Sequence, residues 1–225
     1  MTAQEVVAPH PYSRPWSDDP FAEGMRTGNG PLWLRRDDGH RHPLEVERWC
    51  APPDPADWTL LFRCLHRGQP TLDIGCGPGR LIAALQTCGL LALGVDVTRS
   101  AVLRARGMGG SALCRSVFDR LPGEGRWGTA LLADGNLGIG GDPAALLRRV
   151  AELLAPDGQL LIEVERGDLD ERITVAVEDA AGRSGPAFPW ARLGARATVD
   201  CAVGAGFALT DAWTCQGRHF LALRR

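Results

Sequence analysis

Between residues 71 and 165 short apolar runs alternate with helix-patterned segments, and this alternation limits the possible folds more than any other feature of the chain. Strands are expected at residues 71–74, 91–95, 112–116 and 129–133 and in "GQLLIEVE". Helices are expected at residues 80–88 and 100–106 and in "PAALLRRVAELLA", where Asp142 is the cap. Continuously apolar strands leave no face for water, so the run predicts a parallel sheet covered by helices on both sides. A helix from "DPADWTLLFRCLH" precedes the first strand: Asp54 stands at the N-cap and Pro55 at the first helical position, with Trp58, Leu61, Phe62 and Leu65 at helical spacing. A further helix at 195–203 leads to "FALTDAWTC" and "RHFLALRR", joined by "QG" at hairpin spacing, which predicts an antiparallel edge. Residues 1–53 are rich in proline, glycine and charge without a sustained period. They read as an irregular arm or lid, and residues 54–225 as the domain proper.

The turn after the first strand, "TLDIGCGPGR", carries glycines at 75, 77 and 79. Such a turn lets a ligand approach the backbone closely. A dinucleotide fingerprint needs its last glycine at position 80, where this chain has Arg80. Asp73, near the end of the strand, opposes a pyrophosphate and attracts an ammonium or a sulfonium. The next strand ends in Asp96, where a carboxylate can accept from both hydroxyls of a ribose. The third strand runs into "CRSVFDRLP", whose Ser116, Val117 and Phe118 can read an adenine edge and cover its face. The fourth ends in "LLADGNLGIGG", and an amide there, Asn136, points into the crevice where α/β sheets bind ligands.

The motifs "LDIGCGPG", "GVD", "SVFDRLP" and "APDGQLLIEV" stand in the order and at the spacings of the class I S-adenosylmethionine-dependent methyltransferases, which the chain resembles from about residue 60 to its end. The resemblance implies an α/β fold: a three-layer, doubly wound Rossmann-like sheet of seven strands, mostly parallel, with an antiparallel C-terminal edge strand. It implies S-adenosyl-L-methionine as cofactor. Asp73, Gly75, Cys76 and Gly77 would face the methionine moiety and Asp96 and Val97 the ribose. Ser116, Val117 and Phe118 would flank adenine, while Asp134, Gly135 and Asn136 border the methionine and the acceptor. Two positions depart from the family pattern. Ser116 replaces an aspartate common there, a weaker acceptor for the adenine amino group, and Trp127-Gly128 replaces an aromatic-aspartate pair. The "DGNLGIGGDP" turn lacks the N-P-P-Y or D-P-P-Y pattern of amino methyltransferases acting on bases and glutamine.

Methyl transfer from a sulfonium is an in-line displacement that needs no protein nucleophile, so alignment and shielding come first and a base only where the acceptor is protonated. The candidate catalytic residues are Asn136, His42 in "GHRHPLEVERW", and Glu165 at the end of the fifth strand; His40 is a weaker copy of His42. Trp190 and Arg192, with Phe188, stand in a proline-bounded loop expected to seat an acidic or aromatic acceptor. Tyr12 and Trp16 are candidates for the lid.

A net charge of -2 gives no basic footprint, so a small-molecule substrate is expected, with no nucleic acid and no membrane partner. No stretch has the blocks of a signal peptide or a membrane span, and a cytoplasmic protein is expected. Seven cysteines without a C-x-x-C pair read as reduced thiols, and no metal site is expected. The function expected is methyl transfer to O, N or C of a small molecule. The alternatives are a nicotinamide-dependent oxidoreductase and an S-adenosylmethionine-binding module that does not methylate.

Overall fold

The computed structural model describes residues 20–225. Tyr12 and Trp16 lie outside the described residues. The chain opens with α1 (Pro20–Thr27), β1 (Leu32–Arg36), β2 (Arg41–Leu44), α2 (Val46–Cys50) and α3 (Pro55–Arg67). The alternating run follows: β3 (Thr71–Ile74), α4 (Arg80–Thr87), β4 (Ala92–Asp96), α5 (Arg99–Gly107), β5 (Ala112–Cys114), β6 (Trp127–Leu132), α6 (Pro143–Leu153) and β7 (Leu154–Val164). It ends with β8 (Asp170–Asp179), β9 (Phe188–Leu193), α7 (Ala195–Gly204), β10 (Ala208–Cys215) and β11 (Arg218–Arg224).

The larger sheet has seven strands in the order β10-β11-β7-β6-β3-β4-β5. The five strands from β7 to β5 are parallel; β11 runs against β7 and β10 against β11, which makes the antiparallel C-terminal edge. Gln216 and Gly217 turn that hairpin with φ of 50° and 76°, the positive pair a two-residue loop needs. Both faces of the sheet are buried. Leu72, Leu132 and Ile162 pack in one core with Leu146 and Leu147 of α6, while Leu131 and Leu161 pack in another with Leu60 of α3 and Ile82 of α4. The start of α3 is a capping box: Asp54 accepts from the Asp57 amide at 2.8 Å, and Asp57 accepts from the Asp54 amide at 3.2 Å.

A second sheet, antiparallel throughout and ordered β2-β1-β8-β9, joins the N-terminal segment to an insertion between β7 and α7. This differs from the irregular arm expected before residue 54 and from the loop expected around Trp190. The segments "LWLRR" and "RHPL" are too short and too charged to show a period alone, and they become strands because β1 pairs with β8. In β8 itself Ile173, Val175 and Val177 stand two apart, with Thr174 and Ala176 between them, a period of two that the sequence does contain. A third core of Phe21, Met25, Leu34, Val177 and Phe188 lies beneath this small sheet. The third parallel strand stops at Cys114, so Ser116 stands in the turn after it. No helix of the described residues is long and apolar enough to cross a membrane.

Gly94, in the middle of β4, shows how tightly the glycine turn sits on the sheet. A Cβ there would lie 2.7 Å from Cys76 Cβ and 2.9 Å from Ile82 Cδ1, both in buried residues. Gly94→Ala is expected to lower stability by about 1–3 kcal/mol through overpacking, read as a lower midpoint in chemical denaturation.

Candidate active site

A cavity of about 640 Å³ lies between the carboxyl ends of β3, β4, β6 and β7 and the small sheet, within the usual size of a small-molecule site. Its floor is the glycine turn. Gly75 and Gly77 have φ of 71° and 51°, and a Cβ on Gly77 would meet nothing within 4 Å, so the backbone there is open to the cavity. Over Gly75 stands Asn136, whose Nδ2 donates to the carbonyls of Ile74 at 2.9 Å and Gly75 at 2.8 Å. Asp96 closes the turn from the neighbouring strand: it accepts from the Gly77 amide at 2.9 Å and the Thr98 amide at 2.7 Å. Each carboxylate oxygen retains a lone pair beside the cavity. Burial raises the Asp96 pKa, against the Thr98 and Gly77 amides that favour its charge.

Behind the turn lies a buried network that sequence spacing does not reveal. Arg80, 4% exposed, grips Asp57 with Nε at 2.8 Å and Nη2 at 2.9 Å and donates from Nη1 to Asp134 at 2.7 Å. Arg218 of β11 donates to Glu163 through Nε and Nη2, both at 2.7 Å, and to Asp57 at 2.9 Å. Arg48 of α2 reaches Asp134 at 2.8 Å from the lid side. Burial alone would raise the Asp134 pKa, but Arg80 and then Arg48 hold it well below the ordinary carboxylate range. Asp73 is the exception in this network. It is 2% exposed, and burial pushes its pKa up to about 7 despite Arg80 nearby.

On the lid side Arg192 of β9 is held by Glu165 through Nε at 2.9 Å and Nη2 at 3.0 Å, and Nη1 donates to Glu171 at 3.3 Å. The same Nη1 stands 3.2 Å from His42 Nε2. A guanidinium only donates, so Nε2 is the acceptor and the imidazole proton sits on Nδ1. Burial, then the charge of Arg192, lowers the His42 pKa, and the ring is neutral.

Of the site residues expected from sequence, Gly75, Cys76, Gly77, Asp96, Val97, Ser116, Val117, Asp134, Gly135 and Asn136 line this cavity, and so do His42, Glu165, Trp190 and Arg192. Two do not. Asp73 lies one residue behind the wall, which begins at Ile74, and Phe118 packs against the larger core. The three side chains expected to do chemistry are all engaged by protein: Asn136 holds the glycine turn, Glu165 holds Arg192, and His42 Nε2 takes an Arg192 proton. Trp190 and Arg192 sit on a strand, which corrects the expected loop. Arg48, Arg218 and Asp57 were not expected at the site at all. Their partners are up to 164 residues away in sequence, and no local pattern marks them.

A methyltransferase-domain family model matches residues 51–197. Among solved structures, an S-adenosylmethionine-dependent methyltransferase from Bacteroides fragilis, in complex with S-adenosyl-L-homocysteine, is 20% identical. The match covers 90% of this chain and 91% of that one, with a TM-score of 0.72. The 1,6-didemethyltoxoflavin-N1-methyltransferase of Burkholderia thailandensis is 22% identical over 76% of each chain, with a TM-score of 0.56. Magnesium protoporphyrin IX methyltransferase from Synechocystis PCC 6803, with bound S-adenosylmethionine, is 15% identical over 75% of this chain and 77% of that one, with a TM-score of 0.55. No curated protein matches the chain in sequence.

The raised pKa of Asp73 makes stability depend on pH. Its carboxyl holds a proton in the folded state up to about pH 7, whereas the unfolded chain releases it near about pH 4. The contribution of Asp73 is therefore fully present below about pH 4 and lost as pH rises through about 7, by a few kcal/mol at most. Denaturant titrations at about pH 5 and about pH 8 should show the wild type weaker at the higher pH, with most of that difference absent in Asp73→Asn.

Proposed function

The chain belongs to the methyltransferase-domain family, and on that premise we propose that it uses S-adenosylmethionine to methylate an oxygen, nitrogen or carbon of a small molecule. The observation that carries this reading is Asp96: a half-buried carboxylate with lone pairs left over, fixed by two backbone amides beside a glycine turn open to the cavity. That donor and acceptor set fits a ribose diol. Ser116 and Val117 line the same wall one strand further on, where an adenine edge would meet a buried hydroxyl and a backbone amide. At the other end, the Asp134 and Glu163 carboxylates line the floor. The cationic amine of an amino-acid head suits that charge.

When bound, the cofactor supplies an electrophilic methyl group on a sulfonium. The residues of the chain bind, align and shield. Asp96 and the turn it closes set the depth of the nucleoside, and Asn136 keeps the carbonyls of Ile74 and Gly75 from swinging into the cavity. The small sheet covers the opposite wall with Leu34, Leu44 and Phe188, which keeps water from competing with the acceptor. On this reading the chain's main contribution is alignment and shielding, with His42 Nε2 accepting from Arg192. A cavity enclosed by the small sheet and a net charge of -2 favour a small acceptor over nucleic acid.

Calorimetric titration with S-adenosylhomocysteine tests the reading. Saturable binding is expected for the wild type, and Asp96→Asn should bind about tenfold to a hundredfold more weakly, as expected for lost hydrogen bonds to a charged group. A wild-type protein that takes up none of the ligand sinks the proposal. Labelled-methyl cofactor and a metabolite extract, followed by mass spectrometry, would then identify the acceptor.

A further inference from the structure

The acceptor half of the cavity has two aromatic pairs and very little unpaired charge. Phe21 and Trp49 come from the N-terminal segment with ring centroids 6.3 Å apart, and Phe188 and Trp190 come from β9 at 6.1 Å, edge to face. Flat apolar surface of this kind favours a flat ring. The cations around it are already matched. Each of the three guanidinium nitrogens of Arg192 donates to protein, two of them to Glu165, with Glu171 and His42 on the third. Arg48 is held by Glu45 and Asp134.

A carboxylate brought to Arg192 would therefore lie beside two other carboxylates, and one brought to Arg48 would meet the same opposition. Like charges at such range repel strongly where water is scarce.

The geometry points to an uncharged, flat aromatic acceptor seated against the aromatic side chains of the cavity wall, with Glu165 and Glu171 turning anionic acceptors away by holding Arg192. Of the two acceptor kinds that Arg192 suggests in the sequence, acidic and aromatic, only the second fits this charge pairing. The inference rests on the methyltransferase reading and adds the class of molecule that the site admits.

The test uses a matched pair of probes, naphthamide and naphthoate, which differ in charge and hardly in shape. The full-length protein is first saturated with S-adenosylhomocysteine, and each probe is then titrated by calorimetry. Naphthamide is expected to bind at least about tenfold more tightly than naphthoate. Glu165→Gln, which keeps the side-chain shape but removes the charge, should narrow that ratio about tenfold by strengthening naphthoate. Because the variant gains affinity, loss of folding cannot mimic the result. The inference is overturned if naphthoate matches naphthamide on the wild type, if neither probe binds, or if the ratio is unchanged in Glu165→Gln. Saturation by S-adenosylhomocysteine together with any of those results removes this inference and leaves the methyltransferase reading standing; failure of S-adenosylhomocysteine to bind removes both.

Discussion

Asp134 is the charge on which the site is assembled. It follows β6, holds φ at 57°, and accepts from Arg80 at 2.7 Å and from Arg48 at 2.8 Å, with Arg218 3.5 Å away. A non-glycine residue in that conformation is uncommon, and here its amide donates to Glu163 at 2.7 Å, which holds it in place. Through these contacts one carboxylate joins the lid helix α2, the first helix of the alternating run α4, and the C-terminal strand β11. Burying so many charges is tolerable only because each has partners; removing one member of such a set typically costs about 3–5 kcal/mol.

That network explains the departure from the dinucleotide pattern. Position 80 is an arginine because its side chain turns inward, 4% exposed, to bridge Asp57 and Asp134. Asp57 is fully buried and is also half of the capping box of α3. The capping residues of one helix and the first residue of the next thus share a charge system, so the glycine turn between β3 and α4 is held from beneath as well as by its own backbone.

The small sheet obeys a different logic. It is built from two segments far apart in the chain, and polar pairs stitch them together: Arg36 of β1 to Glu171 of β8 at 3.0 Å, Arg35 of β1 and Arg41 of β2 to the buried Glu178 of β8. Arg192 then ties β9 to Glu165, the residue that follows the core strand β7. Glu165 and Arg192, on the cavity wall, are therefore also the pair that fastens the small sheet to the core.

The sequence by itself determined whatever depends on near neighbours along the chain. The capping box at Asp54, the hairpin at Gln216 and Gly217, the open turn at Gly77 and the position of Asp96 at a strand end all follow from backbone dihedrals and hydrogen bonds that operate over a few residues. The period of two in β8 was present as well, but it acquires meaning only with β1 and β9 beside it. Tertiary structure alone decided the roles of Arg48, Arg80 and Arg218, the setting of Asp73 behind the wall, and the engagement of His42 and Arg192. The physical reason is that a charge takes its pKa and its partner from whatever the fold brings within a few ångströms, and position along the chain carries no record of that distance.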